Sequence, residues 1–147
     1  MKEIFTLGTS NRSISDFGEI LKQYRIAVLL DVRRFPKSRF QHFIGEHLER
    51  YCRERGIEYL WLGDCLGGFR TGGYEQYMNT DDFHRAIVEV EQHAGKHRCV
   101  LLCAEKFPGK CHRRFIGRRL EERGWEVVHI IDQHTVWEPA PELFHHD

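Results

Sequence analysis

Ile26-Ala-Val-Leu-Leu-Asp-Val32 is apolar at every position but one. A strand with one wet face alternates apolar and polar residues, so an unbroken run marks a strand covered on both faces, as in parallel sheets. Pro36 then places a loop beyond it. Upstream, Ile4 to Leu7 is a short strand that stops at Gly8. Ser13-Ile-Ser-Asp16 caps a helix in which Phe17, Ile20, Leu21 and Tyr24 recur at helical spacing. Downstream, Ile44, Leu48, Tyr51 and Cys52 form a helical stripe ending near Gly56, and Ile57-Glu-Tyr-Leu-Trp61 reads as a third strand. Thr80-Asp-Asp opens a helix with Phe83, Ile87, Val90 and Ala94 on one side, followed by a strand from Cys99 to Cys103. Phe115, Ile116 and Leu120 define a last helix ending at Gly124, and Val127 to Ile131 is a fifth strand. Strands separated by helices need crossover connections. The expected fold is therefore a three-layer, Rossmann-like α/β domain over residues 1–131, with a mainly parallel five-stranded sheet and helices on both faces. Residues 132–147 are expected to form a tail over its surface.

A chain of 147 residues, 41% of them hydrophobic, fits one domain with a real core. Its 22 basic and 22 acidic side chains cancel, so no overall field favours nucleic acid or an anionic membrane, and any anion site must be local. The N-terminal apolar run is too short for a signal peptide, and no stretch approaches the ~20 apolar residues of a membrane span. A cytoplasmic protein with no membrane partner is expected. Five cysteines without regular spacing predict reduced thiols.

In open parallel sheets ligands bind beyond the carboxyl ends of the strands. The polar residues there are Thr9, Ser10, Asn11 and Arg12 after the first strand, then Asp31, Arg33 and Arg34 after the second, with Lys37, Ser38 and Arg39 further on. Cys103, Glu105 and Lys106 follow the fourth. The connection from Trp61 to Asn79 is glycine-rich and longer than the usual ~2–6 residues, which marks Gly67, Gly68 and Tyr74 as binding candidates.

The segments Thr6 to Ser10, Asp31 to Arg33, Pro36 to Arg39, Leu66 to Gly68, Tyr74, Met78, Leu102-Cys-Ala-Glu105 and Cys111-His-Arg113 resemble the bacterial and archaeal proteins grouped as domain of unknown function 488. The resemblance spans residues 4–131. It implies a Rossmann-like fold and a shared site built from these segments, and it implies no particular activity.

Known chemistries discriminate further. The position six after Cys103 is Gly109 and six after Cys111 is Gly117, so the cysteine-to-arginine spacing of thiol phosphatases is missing. Ala104 to Cys111 imitates a Walker loop without its first glycine or its hydroxyl, and no Gly-x-Gly-x-x-Gly follows the first strand to bind a dinucleotide. No cofactor is indicated. The spacing of Cys103 and Cys111 lies outside that of structural zinc, although His112 would make a third ligand.

What remains is an anion-binding, thiol-bearing site. A helix beginning near Lys110 or Cys111 offers free N–H groups and a positive dipole end, with Lys106, Arg113 and Arg114 adding charge. That field would favour a thiolate at Cys111, and at Cys103 unless Cys103 is simply the last buried residue of its strand. Glu105 is either a general acid or base, or the partner of Arg12 or Arg33. His112 either transfers protons or is exposed in a first helical turn, and Asp31 organises arginines. Phe35, Tyr74 and Phe107 offer stacking surfaces. The expected protein binds a phosphorylated small molecule or nucleic-acid end and acts on it by hydrolysis or group transfer. The alternative is a non-enzymatic module in which Cys103, Cys111 and His112 hold a metal or respond to oxidation.

Overall fold

The computed structural model describes residues 2–137. Six strands, β1 (Glu3–Gly8), β2 (Val28–Asp31), β3 (Glu58–Trp61), β4 (Cys99–Cys103), β5 (Glu126–Asp132) and β6 (Thr135–Val136), form one sheet in the order β3-β2-β4-β1-β5-β6. The first five pair in parallel, and β6 lies antiparallel to β5. The helices are α1 (Ile14–Gln23), α2 (Gly45–Glu54), the single turns α3 (Gly63–Leu66) and α4 (Tyr74–Tyr77), α5 (Asp81–Ala94) and α6 (Arg113–Glu122).

The alternation of side chains along each strand builds two cores. Phe5, Leu7, Leu29, Val100 and Leu102 meet Phe17, Ile20 and Leu21 of α1 and Leu48 and Cys52 of α2. Ile4, Val28, Leu30, Leu101 and Cys103 meet Phe83, Ile87 and Val90 of α5 and Ile116 and Leu120 of α6. Local signals place the helix starts: Ser13 accepts from Asp16 N–H at the head of α1, and Thr80 from Phe83 N–H at the head of α5.

Two expectations need correction. The sheet is mixed and six-stranded, and its last hairpin falls in residues assigned to the tail. β5 runs on to Asp132, whose carboxylate accepts from His134 N–H to turn the chain into β6. A two-residue strand after a turn without glycine or asparagine leaves no periodic signal. His145 and His146 lie outside the described residues. No helix among the described residues is long and apolar enough to cross a membrane.

The topology positions the site. Chain from β2 continues into α2 on one face, whereas β4 leads into α6 on the other, so a crevice opens between the adjoining ends of β2 and β4. Gly8 lets the loop after β4 cross the end of β1, because a Cβ there would sit 1.8 Å from the Glu105 carbonyl oxygen.

Candidate functional site

At the end of β2, Asp31 is fully buried and saturated. Its carboxylate accepts from Arg33 Nε at 2.8 Å, Arg33 Nη2 at 2.7 Å and the Tyr59 hydroxyl at 2.5 Å, and Arg33 Nη1 donates to the Phe43 carbonyl at 2.7 Å. Arg33 is thus consumed by the scaffold, and this carboxylate pushes Tyr59, already penalised by burial, far above its ordinary range. Arg12 is consumed likewise: it donates to the carbonyls of Gly8 and Ile131 and pins the β1 loop to β5. Glu105 pairs with neither arginine; it is exposed and faces the crevice.

Facing this frame is the start of α6. His112 Nε2 lies 3.0 Å from the Val32 carbonyl, and its Nδ1 lies 3.6 Å from Cys111 Sγ. A carbonyl only accepts, so Nε2 carries the proton and Nδ1 presents a lone pair to the thiol. The Cys103 thiol, which donates to the Glu105 carbonyl at 3.5 Å, and the backbone N–H of Arg113 also act on the Cys111 sulfur. The neighbouring Cys103 thiol is the main reason that the Cys111 thiol ionises well below its ordinary range despite its burial, with His112 adding to it. Cys103 shifts the opposite way, pushed up by complete burial and by the neighbouring Cys111 sulfur. One negative charge therefore belongs on the sulfur pair, and it sits on the member nearer the crevice.

Arg113 stands behind this pair. The guanidinium is completely buried; Nη1 donates to Thr6 Oγ1 at 3.2 Å and Nη2 to the Lys106 carbonyl at 2.7 Å, while Nε has no hydrogen-bond partner. No carboxylate among the described residues pairs with it. Thr6 passes its own proton to His129 Nδ1 at 2.6 Å. Burial, and then the charge of Arg113, hold His129 neutral down to about 4.

In front of the thiol lies a cavity of about 370 Å³, walled by Arg33, Arg34, Phe35, Gly68, Tyr74, Glu105, Cys111 and His112. Tyr74 backs the imidazole, its ring 5.4 Å from His112 and stacked on Phe115, with its hydroxyl spent on the Leu66 carbonyl. Gly68 approaches His112 so closely that a Cβ would lie 3.4 Å from Nδ1, whereas Gly67 packs on Arg34. The rim carries two exposed rings, Phe35 and Phe69, with centroids 6.1 Å apart. Phe69 is 84% exposed and holds a left-handed φ of 62°, a conformation that costs a bulky residue energy.

Glu105 and Lys37 join this cavity to a second, of about 460 Å³, lined by Thr9, Ser10, Asn11, Ser38, Arg39 and Lys106. Thr9 N–H and Ser10 N–H donate to the carbonyls of Cys103 and Ala104, which hangs this loop on the end of β4. Among the described residues, Arg34, Lys37, Arg39 and Lys106 have no carboxylate partner. Arg114 stays outside both cavities, exposed and laid over the Phe115 ring.

The sequence-predicted residues divide accordingly. Cys111, His112, Glu105, Gly68 and Tyr74 line the first cavity, and Thr9, Ser10, Asn11, Arg39 and Lys106 the second. Arg12, Asp31, Arg33, Cys103 and Arg113 stand behind as support. The metal arm of the alternative is corrected: among the described residues no three His, Cys, Asp or Glu side chains gather as a ligand set. Sequence reasoning missed Phe69, whose signal was an aromatic set between glycine pairs, and the Thr6–His129 relay, whose signal was a threonine inside an apolar strand.

The family model of Domain of unknown function DUF488 matches residues 13–73 and 69–120, and the chain belongs to that family. Searches of curated proteins and of solved structures returned no match.

Proposed function

We propose that this DUF488 protein is a thiol-dependent hydrolase or group-transfer enzyme for a phosphorylated ligand, a nucleotide or nucleic-acid end, bound at the C-terminal edge of a Rossmann-like sheet. The observation that carries this reading is the pair Cys111–His112, oriented by the Val32 carbonyl and opening onto the 370 Å³ cavity. A nucleophile in reach of a base that a third group orients is the arrangement of covalent catalysis. Cys111 attacks the electrophilic centre of the ligand, the bond to the leaving group breaks, and His112 returns the thiol proton to that group. Glu105 then draws a proton from the water that frees the group held on sulfur.

Ligand class follows from the two joined cavities. Lys37, Arg39 and Lys106, with the hydroxyls of Ser10 and Ser38, suit a phosphate. Phe35 and Phe69 offer a stacking surface to a planar base; such stacking is worth ~1–3 kcal/mol per base.

Thermal unfolding with inorganic phosphate and with a panel of nucleotides tests the reading. A ligand specific for the native state stabilises by about 2.7 kcal/mol at one hundred times its dissociation constant. Arg39→Ala is expected to weaken both phosphate and nucleotide, and Phe69→Gly only the nucleotide. Cys111→Ser is expected to keep the shift and lose turnover. A panel that leaves the melting temperature unchanged would remove the reading.

A further inference from the structure

Cys103 and Cys111 stand at the two ends of one loop. Cys103 closes β4 and Cys111 precedes α6, so a bond between their sulfurs would link the two ends of this loop. Cys111 packs against the core cluster that contains Cys103, and each thiol shifts the ionisation of the other. They differ in access: Cys111 forms part of the cavity wall, and Cys103 is completely buried behind it. Around them are His112 Nδ1, the Arg113 backbone N–H and the Arg113 guanidinium, a buried cation that has no carboxylate among the described residues. Such surroundings favour sulfur as an anion, the form that reacts with peroxides. Cys52 and Cys99 are buried, and burial pushes each up to about 12.

We propose that Cys111 and Cys103 form a peroxide-oxidisable pair, in which Cys111 meets a hydroperoxide at the cavity wall and Cys103 resolves the product into an intramolecular disulfide. In the first step the Cys111 thiolate attacks one oxygen of ROOH. The S–O bond forms, the O–O bond breaks and the departing alkoxide takes a proton, leaving Cys111 as a sulfenic acid and releasing ROH. In the second step Cys103 gives up its proton and attacks the Cys111 sulfur; the S–S bond forms, the S–O bond breaks and water leaves. Two thiols are oxidised by two electrons in all, and the peroxide O–O bond is reduced. A dithiol reverses the change by exchange.

The oxidised pair has no nucleophile and no negative charge beside Arg113, so oxidation closes the reactive centre. This chemistry stands on the sulfur pair and requires nothing of the ligand reading.

The test treats the full chain with hydrogen peroxide at neutral pH, blocks remaining thiols with N-ethylmaleimide and maps tryptic peptides by mass spectrometry. The expected product joins peptide 99–106 to the tripeptide Cys111-His-Arg113 through Cys103, disappears on dithiothreitol treatment, and forms at least about tenfold faster than Cys52 oxidises. In Cys103→Ser the reaction is expected to stop at a Cys111 sulfenic acid that dimedone traps. Equal oxidation of all five cysteines, or sulfenic acid accumulating in the unaltered protein without the disulfide, would overturn the proposal. Phosphate binding measured on the same sample separates the two readings: unlinked cysteines with a retained melting shift defeat only the redox pair, and a disulfide without any ligand shift defeats only the proposed function.

Discussion

Arg33 and Arg113 are both buried arginines, placed at facing edges of one crevice, and they are treated in opposite ways. Arg33 meets a buried carboxylate through two parallel hydrogen bonds and spends another donor on the Phe43 carbonyl. Arg113 meets one hydroxyl and one carbonyl, and its Nε meets nothing. A buried cation with its counter-ion is architecture, since the pair is neutral to its surroundings. A buried cation without one imposes a field, and Cys103 and His129 lie in this field. The contrast separates the half of the crevice that holds the shape from the half that carries the two sulfurs.

The largest expected effect comes from making Arg33 resemble Arg113. Asp31→Ala leaves the Arg33 guanidinium buried and uncompensated and strips the Tyr59 hydroxyl of its acceptor, so urea unfolding should show a loss of about 3–5 kcal/mol. A loss below about 1 kcal/mol would mean that water or another group satisfies Arg33 and would blur the contrast.

Acid should strain the Arg113 side next. His129 binds its proton near the ordinary histidine value when unfolded but only at about 4 when folded, because burial penalises the charged ring and protonation would also place a second cation beside Arg113. Folding therefore favours the neutral ring. The contribution is complete above the unfolded value and is lost as pH falls from about 6.5 toward about 4. Melting temperatures across this window should fall in the native chain and flatten in His129→Gln; parallel curves would count against the coupling.

Removing the lone cation is the smallest and most specific perturbation. Arg113→Met exchanges an incompletely bonded guanidinium for an apolar chain and should cost no more than about 1–2 kcal/mol in stability. Iodoacetamide labelling of Cys111 at neutral pH should nonetheless slow by about tenfold, as the sulfur pair loses the charge that acts on it at Cys103. Unchanged labelling would assign the activation to Cys103, His112 and the helix end alone.

Much of this was legible in the chain. Unbroken apolar runs at Ile26–Val32 and Cys99–Cys103 announced strands covered on both faces, because every position must avoid water there. Ser13 and Thr80 announced their helices, because the cap is a bond between near neighbours. Residues following β1, β2 and β4 could be assigned to one edge from the parallel topology alone. The division of labour within that set was not legible. Asp31 and Arg33 lie two positions apart, yet only the fold buries them together, and nothing in Cys111-His-Arg113 distinguishes Arg113, turned inward to Thr6, from Arg114, turned out over Phe115. The two-residue strand β6 and the left-handed Phe69 left no periodic trace.

Local chemistry and periodicity are properties of neighbours in sequence, and they determined where this protein has strands, caps and a reactive loop. Which nitrogen of His112 holds the proton and where the Arg113 guanidinium is held depend on groups 80 or more residues away, Val32 and Thr6. Long-range packing fixes those distances, and electrostatic energies in a buried site change steeply with them.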